Sequence, residues 1–253
     1  MVRLRRAAIL LIVVAASAFA QEAPLLTVLP RTERIRQLQL QGDLHMVRKR
    51  YLEAIDAYGR ALHESPRNPV LLNKIGIAYH QLARLRDARR YYELSTQADK
   101  NYSYAWNNLG TAHYGMEKYG RAIRYYRRAL KLDPSQASFH SNLGTALFAR
   151  KQYAEATEEF RLAVLLDPEV FRRRSSFGIV TQDFSVQDRA RYNFLLAKTY
   201  AALGYTEDCL LALRHALDHG LPAEEARTDP AFAGLRDDER FQALFAPPQP
   251  LQP

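Results

Sequence analysis

Cysteine is nearly absent from this chain of 253 residues, and a single cysteine excludes an intramolecular disulfide. Cys209 stands where other copies of a repeated pattern, described below, carry alanine, so we expect a buried thiol that packs as a small apolar residue. Charged residues make up 25% and hydrophobic residues 47% of the chain, which is the balance of an ordinary globular domain.

Motifs that carry catalytic chemistry are also missing. The chain has no glycine-rich phosphate loop, no Gly-x-Ser-x-Gly turn and no paired cysteines for zinc. His215 and His219 stand four residues apart, with Asp218 beside them, and this spacing places both imidazoles on one helical face. A zinc site needs more ligands than these, so we interpret the pair as a solvated helix end. We therefore predict no metal, no cofactor and no enzymatic activity.

Long hydrophobic runs are lacking as well, and the one run that opens the chain is too short to cross a membrane comfortably. Arg3, Arg5 and Arg6 precede an apolar stretch at residues 7–19, and a small-x-small tripeptide ends at Ala20. This arrangement is typical of a secretory signal peptide at residues 1–20, cleaved after Ala20. We expect a periplasmic or secreted protein whose net charge falls from +9 to +6 when the three arginines are removed. The alternative is an uncleaved N-terminal anchor.

What the chain does contain is a pattern that repeats every 34 residues. One copy consists of Trp106, Leu109, Gly110, Ala122, Tyr126, Ala129 and Pro134. The same positions 34 residues later carry His140, Leu143, Gly144, Ala156, Phe160, Ala163 and Pro168. One period earlier they carry Leu72, Ile75, Gly76, Ala88, Tyr92, Ser95 and Lys100, and two periods earlier Leu38, Gln41, Gly42, Ala54, Tyr58, Ala61 and Pro66. Similarity at a fixed period indicates a stack of repeated structural units.

Each copy predicts a pair of helices. In the third copy, one helical face is made of Trp106, Leu109, Gly110 and His113, and a second of Tyr119, Ala122, Ile123, Tyr126, Ala129 and Leu130. Pro134 ends the second helix because proline cannot continue the hydrogen-bond ladder. Gly110 lacks a side chain and allows a neighbouring helix to approach closely. Such a hairpin has an apolar face that only stacked neighbours can cover.

The seven positions match the tetratricopeptide pattern, so the chain resembles that family over residues 35–170. We expect four repeats, at 35–68, 69–102, 103–136 and 137–170. The resemblance implies an all-α fold, a right-handed superhelical solenoid of helix-turn-helix repeats. It also implies a scaffold that binds a protein or peptide partner without catalysis.

The segments around the four repeats are assigned from composition and spacing. We expect an N-terminal linker at 21–34, an inserted loop at 171–189, and a fifth hairpin of the same kind at 190–221. A helical cap at 222–245 would cover the last repeat, because a terminal repeat exposes an apolar face. Four prolines predict a disordered tail at 246–253.

The resemblance also implies a binding groove. In tetratricopeptide arrays the first helices line the concave side, through positions two, five, nine and twelve of each repeat. The corresponding residues are Arg36, Gln39, Asn73, His80, Tyr104, Asn107, Thr111, Tyr114, Ser138, Ser141, Thr145 and Phe148. Amides and hydroxyls beside aromatic rings suit an extended peptide. Alternatively, Asn107 with its neighbour Asn108 only follows the family's common residues.

One subclass of the family holds the carboxylate tail of chaperones with lysine, asparagine and arginine side chains. Gln39 and Asp43 occupy two of those places in the first repeat, so we do not expect such a tail to bind.

A basic stretch on the second helix of repeat three is the main alternative site. It contains Arg121, Arg124, Arg127, Arg128 and Lys131, interleaved with Tyr125 and Tyr126. We interpret these charges as a solvated convex face, and we expect no nucleic-acid partner for an exported protein. The alternative function is a basic envelope-associated module that binds anionic lipid or glycan through these arginines.

Overall fold

The computed structural model describes residues 29–172 and 184–246, and all regular elements in these two ranges are helical. The helices are α1 (Arg31–Val47), α2 (Tyr51–Glu64), α3 (Pro69–Gln81), α4 (Leu85–Ala98), α5 (Ser103–Gly115), α6 (Tyr119–Leu132), α7 (Ala137–Ala149), α8 (Tyr153–Leu166), α9 (Val186–Ala202), α10 (Thr206–Asp218), α11 (Ala223–Thr228), a 3₁₀ helix (Pro230–Leu235) and α12 (Glu239–Ala243). Within the described ranges, no helix has the length and apolar character that a membrane crossing requires. The predicted signal peptide, the part of the insertion at 173–183 and the tail at 247–253 lie outside the described residues.

The chain divides into two compact units, Met1–Asp99 and Lys100–Pro253. In the N-terminal unit, α1 packs on α2 and α3 packs on α4, and α2 contacts α3. In the C-terminal unit the pairs are α5 with α6, α7 with α8, and α9 with α10. The predicted all-α fold of packed helix pairs is therefore confirmed.

The two helices of each pair meet where the small residues of the pattern lie. Ala54, Ala88, Ala122 and Ala156 are completely buried, and Cys209 is equally buried at the same place in the fifth pair. The repeated glycine of each first helix lies under the aromatic ring of its second helix. A Cβ atom added at Gly110 would lie 2.7 Å from a ring carbon of Tyr126, and Gly42, Gly76 and Gly144 meet Tyr58, Tyr92 and Phe160 in the same way.

The turn between the two helices of a pair has the same backbone conformation in every repeat. Lys49, Ala83, Glu117 and Lys151 have φ angles of 57°, 56°, 59° and 60°, and Gly204 has a φ of 77° in the fifth pair. The N–H group of the following residue donates to a carbonyl five residues back, as from Lys118 to His113 (2.9 Å) and from Gln152 to Leu147 (3.0 Å). These bonds satisfy carbonyl groups that the end of a helix leaves without a partner.

Two helices begin earlier than the sequence predicts. α1 begins at Arg31, inside the predicted linker at 21–34, and Arg34 forms an ion pair with Glu64 across the first pair (3.0 Å). α9 begins at Val186, inside the predicted loop at 171–189, because the hydroxyl of Ser185 accepts a hydrogen bond from the N–H of Asp188 (3.0 Å). Both predicted boundaries are therefore corrected toward longer helices.

The last helices cover α9 with a small aromatic cluster. Phe232 in the 3₁₀ helix and Phe241 in α12 are buried, and the Phe232 ring lies 5.9 Å from that of Phe194. Asp229 and Asp238 begin the two short helices by accepting hydrogen bonds from Ala231 and Arg240 (2.9 and 2.8 Å). This cluster supplies the apolar contacts that a terminal helix pair needs.

The glycine contact gives a first prediction. Gly110→Ala should lower the free energy of unfolding by roughly 1–3 kcal/mol, because the new methyl group overlaps the buried ring of Tyr126. Gly59 lies inside α2 with no atom within 4 Å of an added Cβ. Gly59→Ala is the matched control and should raise stability by about 0.5–1 kcal/mol. Urea unfolding of both variants tests this, and an unchanged midpoint for Gly110→Ala would contradict it.

Candidate binding surface of the repeats

The predicted groove residues of the N-terminal unit lie on α1 and α3. Arg36 is exposed and its Nη1 lies 3.9 Å from Oε2 of Glu33, while Gln39 is half-buried. On α3, Asn73 is buried with 4% exposure, and His80 is half-buried. Burial lowers the pKa of His80. Of this set, Arg36, Gln39 and His80 are at least partly accessible, and only Asn73 is buried.

Asp43, on α1, is held by two partners inside the same unit. The hydroxyl of Tyr58 donates to Asp43 at 2.6 Å, and Nζ of Lys74 lies 2.5 Å from the same oxygen. Burial, together with the bond to Asp43 and its negative charge, raises the pKa of Tyr58 above its ordinary value. The positive charge of Lys74 is therefore already matched by a carboxylate of the protein.

In the C-terminal unit, Asn107 does not lie on an open surface as the sequence predicted. It is 5% exposed, and its Oδ1 accepts a hydrogen bond from Nδ2 of Asn142 at 3.0 Å. Its Nδ2 donates to Oδ1 of Asn108 at 3.2 Å. Because Asn107 lies on α5 and Asn142 on α7, this bond joins the first helices of two successive repeats. Asn107 therefore contributes to packing between repeats, which corrects the expectation that it faces a partner.

Two predicted hydroxyl groups are also used inside the protein. Thr111 is 7% exposed, and its Oγ1 accepts a hydrogen bond from the Tyr126 hydroxyl at 3.1 Å. Thr145 is 2% exposed and donates to the carbonyl oxygen of Ser141 at 2.8 Å. Both threonines stabilise the helices on which they lie, and neither is accessible to an extended peptide.

Phe148 is covered by residues that follow the fourth repeat. It is 3% exposed, and its ring centroid lies 5.3 Å from those of Phe184 and Tyr192. Tyr192 belongs to α9, and Phe184 is the last residue of the predicted insertion before the cap at Ser185. The sequence did not assign a role to either aromatic residue. Phe184 and Tyr192 therefore occupy the space beside Phe148 where the groove prediction expected a bound peptide.

In the C-terminal unit, four predicted residues remain accessible. Tyr104 is 43% exposed, and its ring packs edge-on against Phe139 of α7 at 5.4 Å. Ser138 is exposed and Ser141 is half-buried, and both lie on α7 beside Phe139. Tyr114, near the other end of α5, is half-buried and its ring lies 5.2 Å from that of Tyr119. We call Tyr104, Ser138 and Ser141 the Tyr104 surface.

Comparison with known proteins identifies the family. A sequence model described as the tetratricopeptide repeat matches residues 40–106 and 107–170, which together make up half of the chain. The chain belongs to the tetratricopeptide repeat family. The predicted family is thus confirmed, and the fold is that of a protein-interaction scaffold.

Other similarities cover smaller parts or show the fold alone. A heat-shock protein cognate co-chaperone, sgt12 of Aspergillus fumigatus, is 38% identical over 71 residues, which are 28% of this chain. The match spans about a fifth of the relative's length (21%). A crystal structure of MamA is similar with a TM-score of 0.50 and 21% identity, over 70% of this chain and 93% of that one. MamA from Desulfovibrio magneticus gives a TM-score of 0.51 at 17% identity, over 73% and 92%.

The tetratricopeptide position occupied by Trp106 and His140 makes the same bond in both repeats. Nε1 of Trp106 donates to the carbonyl oxygen of Lys100 at 2.9 Å, and Nε2 of His140 lies 3.0 Å from that of Pro134. Nδ1 of His140 lies 2.7 Å from Oε2 of Glu159. Burial opposes the charged imidazole, but the Glu159 carboxylate and the Pro134 carbonyl together raise the pKa of His140. Both ring nitrogens face acceptors, so the charged form satisfies both bonds.

The remaining residues that the sequence singled out are the cysteine, the histidine pair and the arginines of α6, and several of them contact other residues of the protein. Burial raises the pKa of the Cys209 thiol to about 12, so it behaves as a packing residue. Nδ1 of His219 donates to the carbonyl oxygen of His215 at 2.6 Å. On α6, Arg127 pairs with Glu155 at 2.8 Å, and Arg128 lies over the Trp106 ring at 5.9 Å.

His140 gives a prediction for the dependence of stability on pH. A raised pKa in the folded state means that its contribution is complete below the unfolded value near 6.5 and is lost as pH rises through the folded value. The loss of stability in His140→Gln should therefore be larger at about pH 5.5 than at about pH 8.5. Chemical unfolding of both proteins at the two pH values measures this. Equal losses at both would show that the imidazole stays neutral.

Proposed function

We propose that this tetratricopeptide repeat protein is a non-catalytic, exported scaffold that binds a protein or peptide partner at the Tyr104 surface of its C-terminal unit. The supporting observation is the exposure of Tyr104, a large aromatic side chain on the first helix of repeat three, while Asn107 and Thr111 on that helix are buried. Tyrosine supplies a rigid apolar ring and a polar hydroxyl, and it is enriched among the residues that dominate binding energy at interfaces.

The chemistry around Tyr104 suits an extended partner. Ser138 and Ser141 offer hydroxyl groups that donate to and accept from a peptide backbone. The Tyr104 ring rests against Phe139, which limits its freedom before binding. Beneath the surface, the hydrogen bond between Asn107 and Asn142 fixes α5 relative to α7. A surface that is ordered in advance loses less conformational entropy when a partner binds.

The proposal excludes an acidic peptide tail held by the N-terminal unit. Asp43 places a carboxylate among the polar residues of α1, and Lys74 already pairs with it. An incoming carboxylate would meet a like charge and would have to compete for this lysine. A neutral or mixed-charge segment fits the Tyr104 surface better, and no nucleic acid is expected as a partner.

The binding site is tested by capture and then by affinity. A photo-crosslinking amino acid at position 104, in protein expressed in its own host, should capture a discrete partner. Tyr104→Ala should weaken binding of that partner by roughly 2 kcal/mol or more, because such exposed aromatic anchors dominate interface energies. Leu166→Ala is the matched control, since Leu166 has similar exposure (45%) on the second helix of repeat four. Titration calorimetry measures both affinities.

Binding through the alternative basic surface would give the opposite result in the same affinity measurement. A variant with Arg121, Arg124 and Arg128 changed to glutamine should bind nearly as the wild type does. If this variant loses the partner while Tyr104→Ala keeps it, and the affinity falls steeply with salt, the partner is held by charge on the convex face.

Export is tested separately. The basic start, the apolar run and the small residues before Gln21 support cleavage after Ala20. Intact-mass analysis of the protein purified from its own host should give a chain that begins at Gln21. A mass that includes Met1, recovered from the membrane fraction, would instead indicate the uncleaved anchor.

A further inference from the structure

A recess at the turn between α5 and α6 is lined mainly by positive charge. Its lining includes Lys118 from the turn, Arg121 and Arg124 from α6, and Arg150 from the end of α7. Glu117 is the one acidic residue among them. The recess has a volume of about 370 Å³, within the range of sites that hold small molecules. We call these four cationic residues the cationic recess.

The four cations have no ion-pair partner in the part of the chain that the structure describes. Among the described residues, none of Lys118, Arg121, Arg124 and Arg150 forms an ion pair, and Glu117 pairs with none of them. By contrast, Arg127 lies one turn further along α6 and pairs with Glu155. Gathering like charges without a counter-charge destabilises a protein, so this arrangement favours an anion from outside.

At this place repeat three carries arginine, whereas the other helix pairs carry an acidic residue. The third residue of the second helix is Glu53 in α2, Asp87 in α4 and Glu155 in α8, and the fifth pair carries Asp208 in α10. In repeat three the same residue is Arg121, and the first turn of α6 has no acidic residue. An acidic side chain there stabilises the positive end of the helix dipole.

The neighbouring contacts show what that acidic residue does elsewhere. Asp87 pairs with Arg84, the residue that precedes α4 (2.7 Å), and Asp208 pairs with Arg172 (2.5 Å). In repeat three the residue before the helix is Lys118, a cation like Arg84, but Arg121 stands at the position of the aspartate. Repeat three therefore keeps the cation, adds a second one and loses the carboxylate between them.

A glycine keeps the recess open to the fourth cation. A Cβ atom at Gly120 would lie 3.2 Å from Nη1 of Arg150, so the guanidinium would have to move by a few tenths of an ångström to make room for it. The guanidinium of Arg150 thus lies over the first turn of α6, where the backbone N–H groups of the helix start point outward. Guanidinium groups bind phosphate oxygens through paired hydrogen bonds, and a helix start favours negative charge.

We propose that the cationic recess binds a phosphate-bearing anion, whose oxygens take the place of the acidic side chain that the other four helix pairs carry. A doubly charged phosphate matches several convergent cations better than a single carboxylate does. The volume of the recess exceeds that of a bare phosphate ion, so it leaves space for the organic group that an ester carries on its phosphate. The phosphate can belong to a soluble ester or to a lipid headgroup, and the two sources are separated below.

The first experiment uses the full chain with inorganic phosphate and with glycerol 3-phosphate. Both should raise the midpoint of thermal unfolding in a saturable way at constant ionic strength, because a ligand that binds only the folded state stabilises it. Arg150→Gln should weaken the binding measured by calorimetry by at least about tenfold, since charge-assisted bonds are worth that factor. Arg127→Gln lies outside the recess and should respond as the wild type does.

The most direct variant is Arg121→Glu, which restores the residue type of the other helix pairs. Without phosphate it should unfold at a higher temperature than the wild type, and added phosphate should no longer shift it. An increase in the unfolding midpoint shows that the variant is folded, so the loss of the phosphate response is specific. A phosphate response that persists in both Arg121→Glu and Arg150→Gln would overturn the proposal.

Vesicles distinguish the two sources of phosphate. Phosphatidylcholine vesicles with and without phosphatidic acid are sedimented with the wild type and with Arg121→Glu. Binding that needs both phosphatidic acid and Arg121, together with weak binding of glycerol 3-phosphate, assigns the site to a lipid headgroup. Binding of the soluble ester without vesicle binding assigns it to a soluble ligand. If neither responds, or if vesicle binding ignores Arg121→Glu and the soluble ester does not bind, the recess is not a phosphate site.

Discussion

The contact between a glycine and an aromatic ring determines how the two helices of each repeat pack. At Gly110 the ring of Tyr126 occupies the space that any side chain would fill, and the same contact is made in the other three repeats. The ring of Tyr126 and the small residue Ala122 of the same helix are both completely buried. Within each unit the pairs stack on one another, so the spacing within one pair determines the surface that it presents to its neighbour there.

The turn follows from the same constraint. A second helix that packs so closely must begin within a few residues of the end of the first, and one residue in the left-handed region achieves this reversal. In four repeats that residue is lysine, alanine or glutamate, although this conformation is unfavourable for residues with a side chain. The hydrogen bonds of the turn and the packed helices on either side compensate for that cost.

Sequence predicted the helix pairs well because small and aromatic residues recur at a fixed period. It did not predict the left-handed turn residues, since only Gly204 carries the residue type that signals such a conformation. It also placed the start of α9 too late, because the cap at Ser185 is a single residue without periodicity. Short-range hydrogen bonds of this kind leave little trace in a pattern of apolar residues.

Of the residues that the sequence placed in a binding groove, only some are accessible in the structure. A position rule says toward which side of a helix a residue points, as it does for Tyr104 and Ser138. It cannot say what lies above that side, and Phe148 is covered by Phe184 and Tyr192 from beyond the fourth repeat. Asn107 is buried beneath the neighbouring repeat, and Asn142 of that repeat supplies a hydrogen bond that its buried side chain needs. Accessibility depends on the tertiary neighbours, which differ from one repeat to the next.

The burial of Cys209 makes its reaction with thiol reagents a measure of local opening of the protein. Its thiol is completely buried between α9 and α10, and burial also keeps it protonated near neutral pH. A thiol reagent can therefore modify it only after the fifth helix pair opens, since the thiolate is the reacting species. The rate of modification would then record how often this end of the array opens, with no competing signal because the chain has no second cysteine.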